Sequence, residues 1–137
     1  MSGALIELEV ATRGQGLLEI TSQVQEAVGS AGVGEGLCTV FVRHTSASLT
    51  IQENADPSAR RDLEQWLARL VPENDPHFTH TAEGPDDMPS HIRSALTSVS
   101  LSIPYREGRL MLGTWQGIFL WEHRRIGSRR RVVVHCG

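Results

Sequence analysis

The sequence predicts an α+β fold, a mixed and mainly antiparallel β-sandwich with about three short helices in a single domain over residues 1–137. Three observations lead to this prediction. Apolar and polar residues alternate with period two in several short segments, which is typical of strands with one buried face. In three intervals the apolar spacing becomes that of a helix. Short reversals separate the strands, and such connections favour antiparallel pairing over repeated strand–helix–strand units.

The amino-terminal quarter predicts two strands and one helix. Apolar residues alternate with glutamates over residues 6–10, and a short second strand covers residues 17–20. Thr21 suits the N-cap of the next helix. The apolar stripe of that helix consists of Ile20, Val24 and Val28. Residues 29–36 are rich in glycine, and because they lack GxGxxG spacing and a following lysine, they predict a connecting loop rather than a phosphate cradle.

The middle of the chain predicts two more strands and a second helix. The strands cover residues 37–44 and 47–53, and His44 ends the apolar face of the first. Asp56 as N-cap and Pro57 at the first helical position announce the helix. Its apolar stripe is expected to be buried, and this stripe consists of Leu63, Trp66, Leu67 and Leu70.

The carboxy-terminal half predicts a short helix within a set of strands. Residues 71–88 are acidic, rich in proline and turn-forming, and Pro89 is expected to open the helix. Strands are predicted over 99–103, 110–121 and 131–135, the first two joined by a hairpin turn around Gly108. Residues 125–131 are interpreted as a solvated turn.

Composition excludes several classes of function. The net charge of -3 and the pI near 6.0 give no basic field for nucleic acid. All 13 basic residues are arginine, so a lysine Schiff base and a P-loop lysine are both excluded. No apolar run approaches the ~20 residues that span a bilayer, and the amino terminus lacks signal-peptide features. Together with Cys38 and Cys136, interpreted as reduced, these features predict a cytoplasmic protein without a membrane partner.

Chemically costly side chains gather in three short blocks of sequence. The blocks are HTSASLTIQENADP from His44, EGPDDMPSHIR from Glu83, and LGTWQGIFLWEHR from Leu112. Each places polar or charged groups beside apolar residues. Burying such groups without hydrogen bonds costs a few kcal/mol, roughly 1–3 by mutational data, so they must be paired or bind a ligand. The blocks therefore predict one shared polar pocket.

The histidines and acids of these blocks, together with His80 just before the second block, suggest a divalent metal site. The candidate ligands are His44, His80, His91, His123, Asp86 and Glu122. Three imidazoles with a carboxylate suit Zn²⁺ and leave a position open for water, whereas Mg²⁺ would be held mainly by carboxylates. Neither HExxH nor paired CxxC spacing is present. A structural, hydrogen-bonded role remains the alternative for each histidine taken singly.

The same blocks supply candidates for catalysis and substrate binding. The catalytic candidates are His44, His91 and Asp87, as general base, metal ligand or orienting acid. The substrate-binding candidates are Ser46, Ser48, Asn54, Thr114, Gln116 and Arg124. A serine–histidine nucleophile is an alternative for the hydroxyls near His44, but without a GxSxG elbow phosphate binding is favoured.

The chain resembles the YjbQ family, also called the secondary thiamine-phosphate synthase family. The resemblance lies in HTSASLT, NADP, EGPDDMPSHI, LGTWQGI and EHR, and it extends from near His44 almost to the carboxy terminus. It implies a compact homotrimer of mixed β-sandwich type with a site lined by histidines and acids. It also implies a small enzyme acting on a small phosphorylated heterocycle, by joining a pyrimidine pyrophosphate to a thiazole phosphate. The alternative is a non-catalytic ligand- or metal-binding module that uses the same pocket.

Overall fold

The computed structural model describes residues 3–32 and 34–137, so Val33 in the predicted loop and the first two residues lie outside the described part. Eight strands and three helices follow one another within these two described ranges. They are β1 (Ala4–Ala11), β2 (Gly16–Glu19), α1 (Thr21–Ser30), β3 (Glu35–Val42), β4 (Ala47–Glu53), α2 (Pro57–Leu70), α3 (Asp87–Leu96), β5 (Ser100–Arg106), β6 (Arg109–Leu110), β7 (Gln116–Glu122) and β8 (Arg129–Cys136). No helix in this part of the chain is long and apolar enough to cross a membrane.

The strands form two antiparallel sheets. The larger sheet has the order β1-β8-β3-β5-β6, and the smaller has the order β2-β7-β4. Every strand pair in the described ranges is antiparallel, and β7 pairs with β2 on one side and β4 on the other. Two antiparallel sheets with three helices confirm the predicted α+β class.

The main core lies between the two sheets and α1. Side chains from both sheets meet there, and alternate residues of β7 explain the arrangement: Ile118 and Leu120 belong to this core, whereas Phe119 and Trp121 point to the other face. On that second face Phe119 and Trp121 pack with Leu67 of α2 in a smaller cluster. Because alternate residues of β7 face opposite sides, the three-stranded sheet lies between the five-stranded sheet on one face and the α2 layer on the other.

Helix α2 begins as the sequence predicts but buries a narrower stripe. Asp56 Oδ1 accepts a hydrogen bond from the Ser58 backbone N–H at 2.9 Å, so the N-cap prediction is confirmed. Leu67 is buried, but Trp66 is 54% exposed, so the prediction that Trp66 is a core residue is wrong. Positions 63 and 67 lie one above the other on the helix and face the sheet, whereas 66 and 70 are rotated away from it. The apolar stripe of α2 is thus wider than the part of the helix surface that packs against the sheet.

The predicted strand over 110–121 and the predicted start of the third helix both change. The expected strand over 110–121 is interrupted, because Gly113 N–H donates to Gln116 Oε1 at 2.8 Å and Gln116 N–H donates to Gly113 O at 3.1 Å, which closes a turn. Helix α3 begins at Asp87, two residues before Pro89. Proline is compatible with this position because the N–H groups of the first helical turn have no intrahelical acceptor.

Helix α3 is fixed to the ends of β4 and β7 by two serines. Ser90 Oγ donates to Asp86 O at 2.6 Å and lies 2.9 Å from His123 O, at the exit of β7. Ser94 Oγ donates to Ala47 O at 3.1 Å, at the start of β4. Both serines are buried. Because these contacts hold α3 against two strand ends, they determine where the first turns of α3 present their side chains.

Candidate functional site

Three side chains meet at the amino-terminal end of α3. His80 Nε2 lies 2.7 Å from Asp87 Oδ2, and His91 Nε2 lies 3.0 Å from the same oxygen. One ligand atom from each residue lies within 4.8 Å of the other two. Asp87 and His91 are four residues apart and share one face of the helix, whereas His80 comes from the loop before it. We call His80, Asp87 and His91 the metal-candidate cluster.

The orientation of His91 is set by a backbone carbonyl. His91 Nδ1 lies 3.0 Å from Thr45 O, in the loop between β3 and β4. A carbonyl oxygen only accepts hydrogen bonds, so Nδ1 carries a proton, and in neutral histidine the lone pair is then on Nε2. This lone pair faces Asp87 Oδ2, which is also an acceptor. Only a cation between the two atoms, either a proton on Nε2 or a metal ion, makes this contact favourable.

Asp87 is buried and anchored by an arginine. Its carboxylate is only 3% exposed, and Arg124 Nη1 donates to Asp87 Oδ1 at 2.6 Å. Burial raises the pKa of Asp87, but the His80 hydrogen bond and the charges of His91 and Arg124 outweigh burial, so the pKa is below its usual value. Asp87 therefore stays ionised and offers Oδ2 to the cluster.

Arg124 also organises the second aspartate of the pair. Its Nε donates to Asp86 Oδ2 at 3.0 Å, and its Nη2 donates to Glu83 O at 3.0 Å. Burial raises the pKa of Asp86, but the Arg125 backbone N–H and Arg124 lower it below its usual value. Asp86 thus faces arginine rather than the cluster. Most donors of Arg124 are occupied in this way, so Arg124 positions both aspartates, and substrate binding by Arg124 stays a prediction.

The two histidines of the cluster are open to ligands. The side chains of His80 and His91 are 42% and 32% exposed. Beside His80 lies a cavity of about 220 Å³ bordered by the loop residues Asn74, Asp75 and Phe78 and by Met88 of α3. Because His80 borders this cavity, a small molecule has room to approach the cluster from that side.

His44 and His123 lie outside the metal-candidate cluster. His44 Nε2 accepts the Arg131 backbone N–H at 2.8 Å, which ties the end of β3 to β8. Burial and the charge of Arg130 lower the pKa of His44. His123 Nε2 lies 2.8 Å from Ser48 Oγ in the interior. The structure therefore brings two of the four predicted histidines together and gives the other two partners of their own.

His123 is neutral because its ring is buried near a positive charge. It is 1% exposed, and burial together with the nearby charge of Arg93 lowers its pKa to about 3. Ser48, predicted near His44, faces His123 instead, and both side chains are buried. This Ser48–His123 contact joins β4 to the end of β7.

Glu122 forms a buried ion pair with Arg130. Arg130 Nε donates to Glu122 Oε1 at 2.8 Å, its Nη2 contacts Oε2, and Thr12 Oγ1 donates to Oε1 at 2.6 Å. Burial raises the pKa of Glu122, but Arg130 and Thr12 hold it below its usual value. Arg130 also donates to Ser46 Oγ at 3.0 Å. The metal-ligand candidate Glu122 and the substrate-binding candidate Ser46 thus share one arginine in a contact that links β7 and β8.

The remaining substrate-binding candidates lie at the opposite end of β4 and β7. Asn54 Nδ2 donates to Glu19 Oε2 at 3.0 Å. Both side chains lie so close to Gly117 that a side chain at that position would collide with them. Thr114 is exposed in the turn before β7, and Gln116 accepts a bond from within that turn. Because Ala47 pairs with Glu122 and Glu53 with Gln116, the length of the strands separates this group from the cluster.

Pattern reasoning missed Arg130 and Thr45. The interpretation of residues 125–131 as a solvated turn is wrong at its end, because β8 begins at Arg129 and Arg130 is 5% exposed. The strand period carried the signal: position 130 has the same parity as the buried residues Val132 and Val134. The contribution of Thr45 is a backbone oxygen, which residue type does not reveal.

The fold and the cluster define a small two-sheet α+β protein that presents two histidines and a buried aspartate at the start of one helix. Residues 6–137 match the family described as UPF0047 protein YjbQ-like. The chain belongs to the YjbQ/UPF0047 family, which confirms the resemblance seen in the sequence blocks.

Relatives and solved structures agree with this assignment. The UPF0047 protein of Synechocystis is 58% identical over 93% of this chain and 87% of its own length. The YjbQ protein of Salmonella typhimurium is 47% identical over 84% of this chain and 83% of its own. The crystal structure of an uncharacterized YjbQ/UPF0047 protein from Clostridium acetobutylicum has a TM-score of 0.86 at 36% identity, covering 96% of this chain and 99% of that one. The fold is therefore that of YjbQ-like proteins.

Proposed function

We propose that this protein is a cytoplasmic, homotrimeric enzyme that binds Zn²⁺ with His80, Asp87 and His91 and acts there on a small phosphorylated heterocycle. In the reaction proposed, the ring nitrogen of a thiazole phosphate displaces pyrophosphate from a pyrimidine pyrophosphate, so that one C–N bond forms, one C–O bond breaks and pyrophosphate leaves. The observation that carries the proposal is that three ligand atoms, one each from His80, Asp87 and His91, meet within 4.8 Å of one another, with both histidine Nε2 atoms directed at Asp87 Oδ2.

The donor set fits a divalent metal ion. Two imidazole nitrogens and one carboxylate oxygen are ligands that zinc enzymes use, with a further position left for water or substrate. Such ligands lie about 2 Å from zinc and a little over 3 Å from one another. The observed separations of 2.7 and 3.0 Å are slightly shorter, and the His80 side chain is 42% exposed, so its neighbours in the described part of the chain do not enclose it. A bound divalent ion would supply a Lewis acid for phosphate oxygens.

The surrounding residues support this role by orienting the three ligands. The Thr45 carbonyl selects the tautomer of His91 that offers Nε2 to the cluster. Arg124 occupies Asp87 Oδ1 and leaves Oδ2 facing the histidines. Partners of this kind typically change metal affinity by about 10- to 100-fold when they are removed. The cavity next to His80 gives a substrate an approach to the cluster from the side of His80.

His44 is the second catalytic residue proposed. Because its Nε2 accepts the Arg131 N–H, the proton of neutral His44 is on Nδ1, from which it can be donated to a substrate oxygen. The lowered pKa keeps His44 neutral near pH 7. This role requires the hydrogen bond between the His44 ring and the Arg131 N–H of β8, so it depends on the pairing of β3 with β8.

The proposed trimer is supported by the outer face of the five-stranded sheet. Leu5, Leu37 and Phe41 are 67%, 51% and 44% exposed on that face. Large apolar side chains grouped on one face of a sheet are typical of association surfaces. A second copy of this chain would remove them from water.

A non-catalytic metal-binding module is the second candidate function. The observation that favours it is that Arg124 is already engaged with Asp86, Asp87 and the Glu83 carbonyl, so the arginine nearest the cluster has few donors left for a phosphate. Such a module would bind the metal through the same three residues and produce no turnover.

The decisive experiment measures metal content and turnover together. Protein purified without a histidine tag is analysed by mass spectrometry for zinc, with His80→Ala, Asp87→Asn and His91→Ala as test variants. His77→Ala is the matched control, because His77 lies in the same loop and outside the cluster. We expect about one zinc per chain in the wild type and in His77→Ala, and its loss in the three test variants.

The activity measurement separates the two candidate functions. Zinc-loaded protein is incubated with the pyrimidine pyrophosphate and the thiazole phosphate, and thiamine phosphate is quantified. Formation that disappears in His91→Ala and persists in His77→Ala supports the enzyme. Zinc binding without product supports the module. Full zinc content in all three test variants would refute the metal site itself.

A further inference from the structure

A second cavity lies on the other side of α3, away from the metal-candidate cluster. It measures about 220 Å³ and is bordered by α2, α3 and the end of β7. Arg93 contributes to its wall from α3, and because position 93 is rotated by roughly half a turn from His91, the two side chains point to opposite sides of the helix. Leu67 and Trp121 form an apolar wall of the same cavity.

Arg93 is a buried cation with few partners. Its residue exposure is 6%, and the contact found for its guanidinium among the described residues is one hydrogen bond, from Nη2 to Val71 O at 2.7 Å. Its Nε is buried without a hydrogen-bond partner. A buried guanidinium normally meets a carboxylate, because an unpaired buried charge is costly. No carboxylate lies within ion-pairing distance of Arg93 in the described part of the chain.

The charges of Glu73 and Asp86 raise the pKa of Arg93 and offset its burial only in part, because each acid is paired with another arginine. Glu73 pairs with Arg125, and Asp86 pairs with Arg124. Within the cavity wall, Glu122 pairs with Arg130, and Glu64 Oε2 accepts the Leu17 backbone N–H at 2.7 Å. Burial lowers the pKa of Arg93, an effect that a bound anion would reverse.

We propose that this cavity binds a small oxyanion, a carboxylate or a phosphate, and that Arg93 is the residue that recognises it. The guanidinium supplies donors in the planar arrangement that matches carboxylate and phosphate oxygens. The apolar wall of Leu67 and Trp121 accommodates the body of such a ligand, and the volume restricts it to a small molecule. The site is independent of the metal-candidate cluster and of the function proposed there.

Trp121 provides a direct reporter of occupancy. The chain has three tryptophans, and Trp66 and Trp115 are exposed and lie outside this cavity. In the double variant Trp66→Phe with Trp115→Phe, the emission therefore comes from Trp121 alone. The probe is inorganic phosphate, titrated into chelator-treated protein, with sodium chloride at matched ionic strength as the reference.

The expected result is a saturable change in Trp121 emission with phosphate and none with chloride. In the same background Arg93→Met should weaken the apparent affinity by about tenfold or more, since hydrogen bonds to charged groups are the stronger ones. Arg69→Met is the matched control, because Arg69 is an exposed arginine of α2, and it should leave the titration unchanged. Use of chelator-treated protein keeps the outcome separate from zinc binding.

A response to phosphate that is linear, equal to that of chloride, or unchanged in Arg93→Met would overturn the proposal. If Arg93→Met does not fold, the Nε–H resonance of Arg93 in the wild-type protein provides the test by ¹H–¹⁵N NMR. Phosphate should shift this resonance in a saturable way, and a resonance that stays in place at high phosphate would equally overturn the proposal.

Discussion

Acid should destabilise this protein through His123. The folded-state pKa of His123 is about 3, because the ring is buried and lies near the charge of Arg93, whereas its ordinary value is 6.5. As the pH falls, the unfolded chain binds a proton at this position before the folded chain does. The stability contributed by neutral His123 is therefore complete above pH 6.5 and is lost as the pH falls from 6.5 towards 3.

The size of the effect follows from the two pKa values. Each unit of difference corresponds to about 1.4 kcal/mol, so the total lost by pH 3 is about 5 kcal/mol. Between pH 7.5 and 4.5 the loss is about 2.5 kcal/mol, because titration in the unfolded chain begins only near pH 6.5. Because the ring is 1% exposed, solvent screening reduces this figure little. A loss of this size is a large share of the stability of a typical domain.

Urea unfolding at pH 7.5, 6.0 and 4.5 measures the effect. The free energy of unfolding of the wild type is compared with that of His123→Gln, whose amide can still bond to Ser48 but does not titrate. His77→Gln is the matched control, since His77 is exposed. We expect His123→Gln to lose about 2.5 kcal/mol less than the wild type over this range, and His77→Gln to follow the wild type.

Equal losses for the wild type and His123→Gln would show that His123 does not cause the loss of stability in acid. Such a result would mean that His123 takes up its proton at a similar pH in the folded and unfolded chains. An NMR titration of the His123 ring gives an independent reading, with no proton uptake expected above about pH 4.

Three further outcomes are expected. Glu122→Gln should lower the free energy of unfolding by about 3–5 kcal/mol in urea, because it leaves the charge of Arg130 buried and unpaired, whereas Glu9→Gln at an exposed pair should change it by less than about 1 kcal/mol. Light scattering should give the mass of a trimer across a tenfold dilution, and a monomer would contradict the proposed assembly. His44→Ala should abolish thiamine-phosphate formation while the trimer stays folded. The control Thr50→Val should keep activity near wild type. Full activity in His44→Ala would show that His44 is not a catalytic residue.

Much of the fold could be predicted because it depends on local patterns. Alternation over residues 6–10 predicts β1, and the Asp56–Pro57 pair predicts the start of α2. Where a prediction failed, a neighbouring element decided the outcome. Trp66 lies on an apolar stripe, but its position on α2 is rotated away from the sheet, so the sheet covers Leu67 and not Trp66. Burial requires a partner surface, and a pattern within one helix does not show how wide that surface is.

The candidate site could be predicted only where its residues lie on one regular element. Asp87 and His91 are four residues apart on a helix, so their proximity follows from helical geometry alone. His80 reaches them from an irregular loop with no period. His44 and His123 carry the same residue type but find the Arg131 N–H and Ser48 as partners, 87 and 75 residues away in the chain.

Residue type and spacing are enough to identify the α+β class, the family, and the three blocks that contain most of the site residues. Those properties depend on patterns within one element. The three-dimensional arrangement was needed to show that His80 joins Asp87 and His91, that Glu122 pairs with Arg130, and that Arg93 is buried beside a cavity. A side chain's direction is set by its own helix or strand, whereas its partner is set by long-range strand pairing and by where α3 rests on β4 and β7.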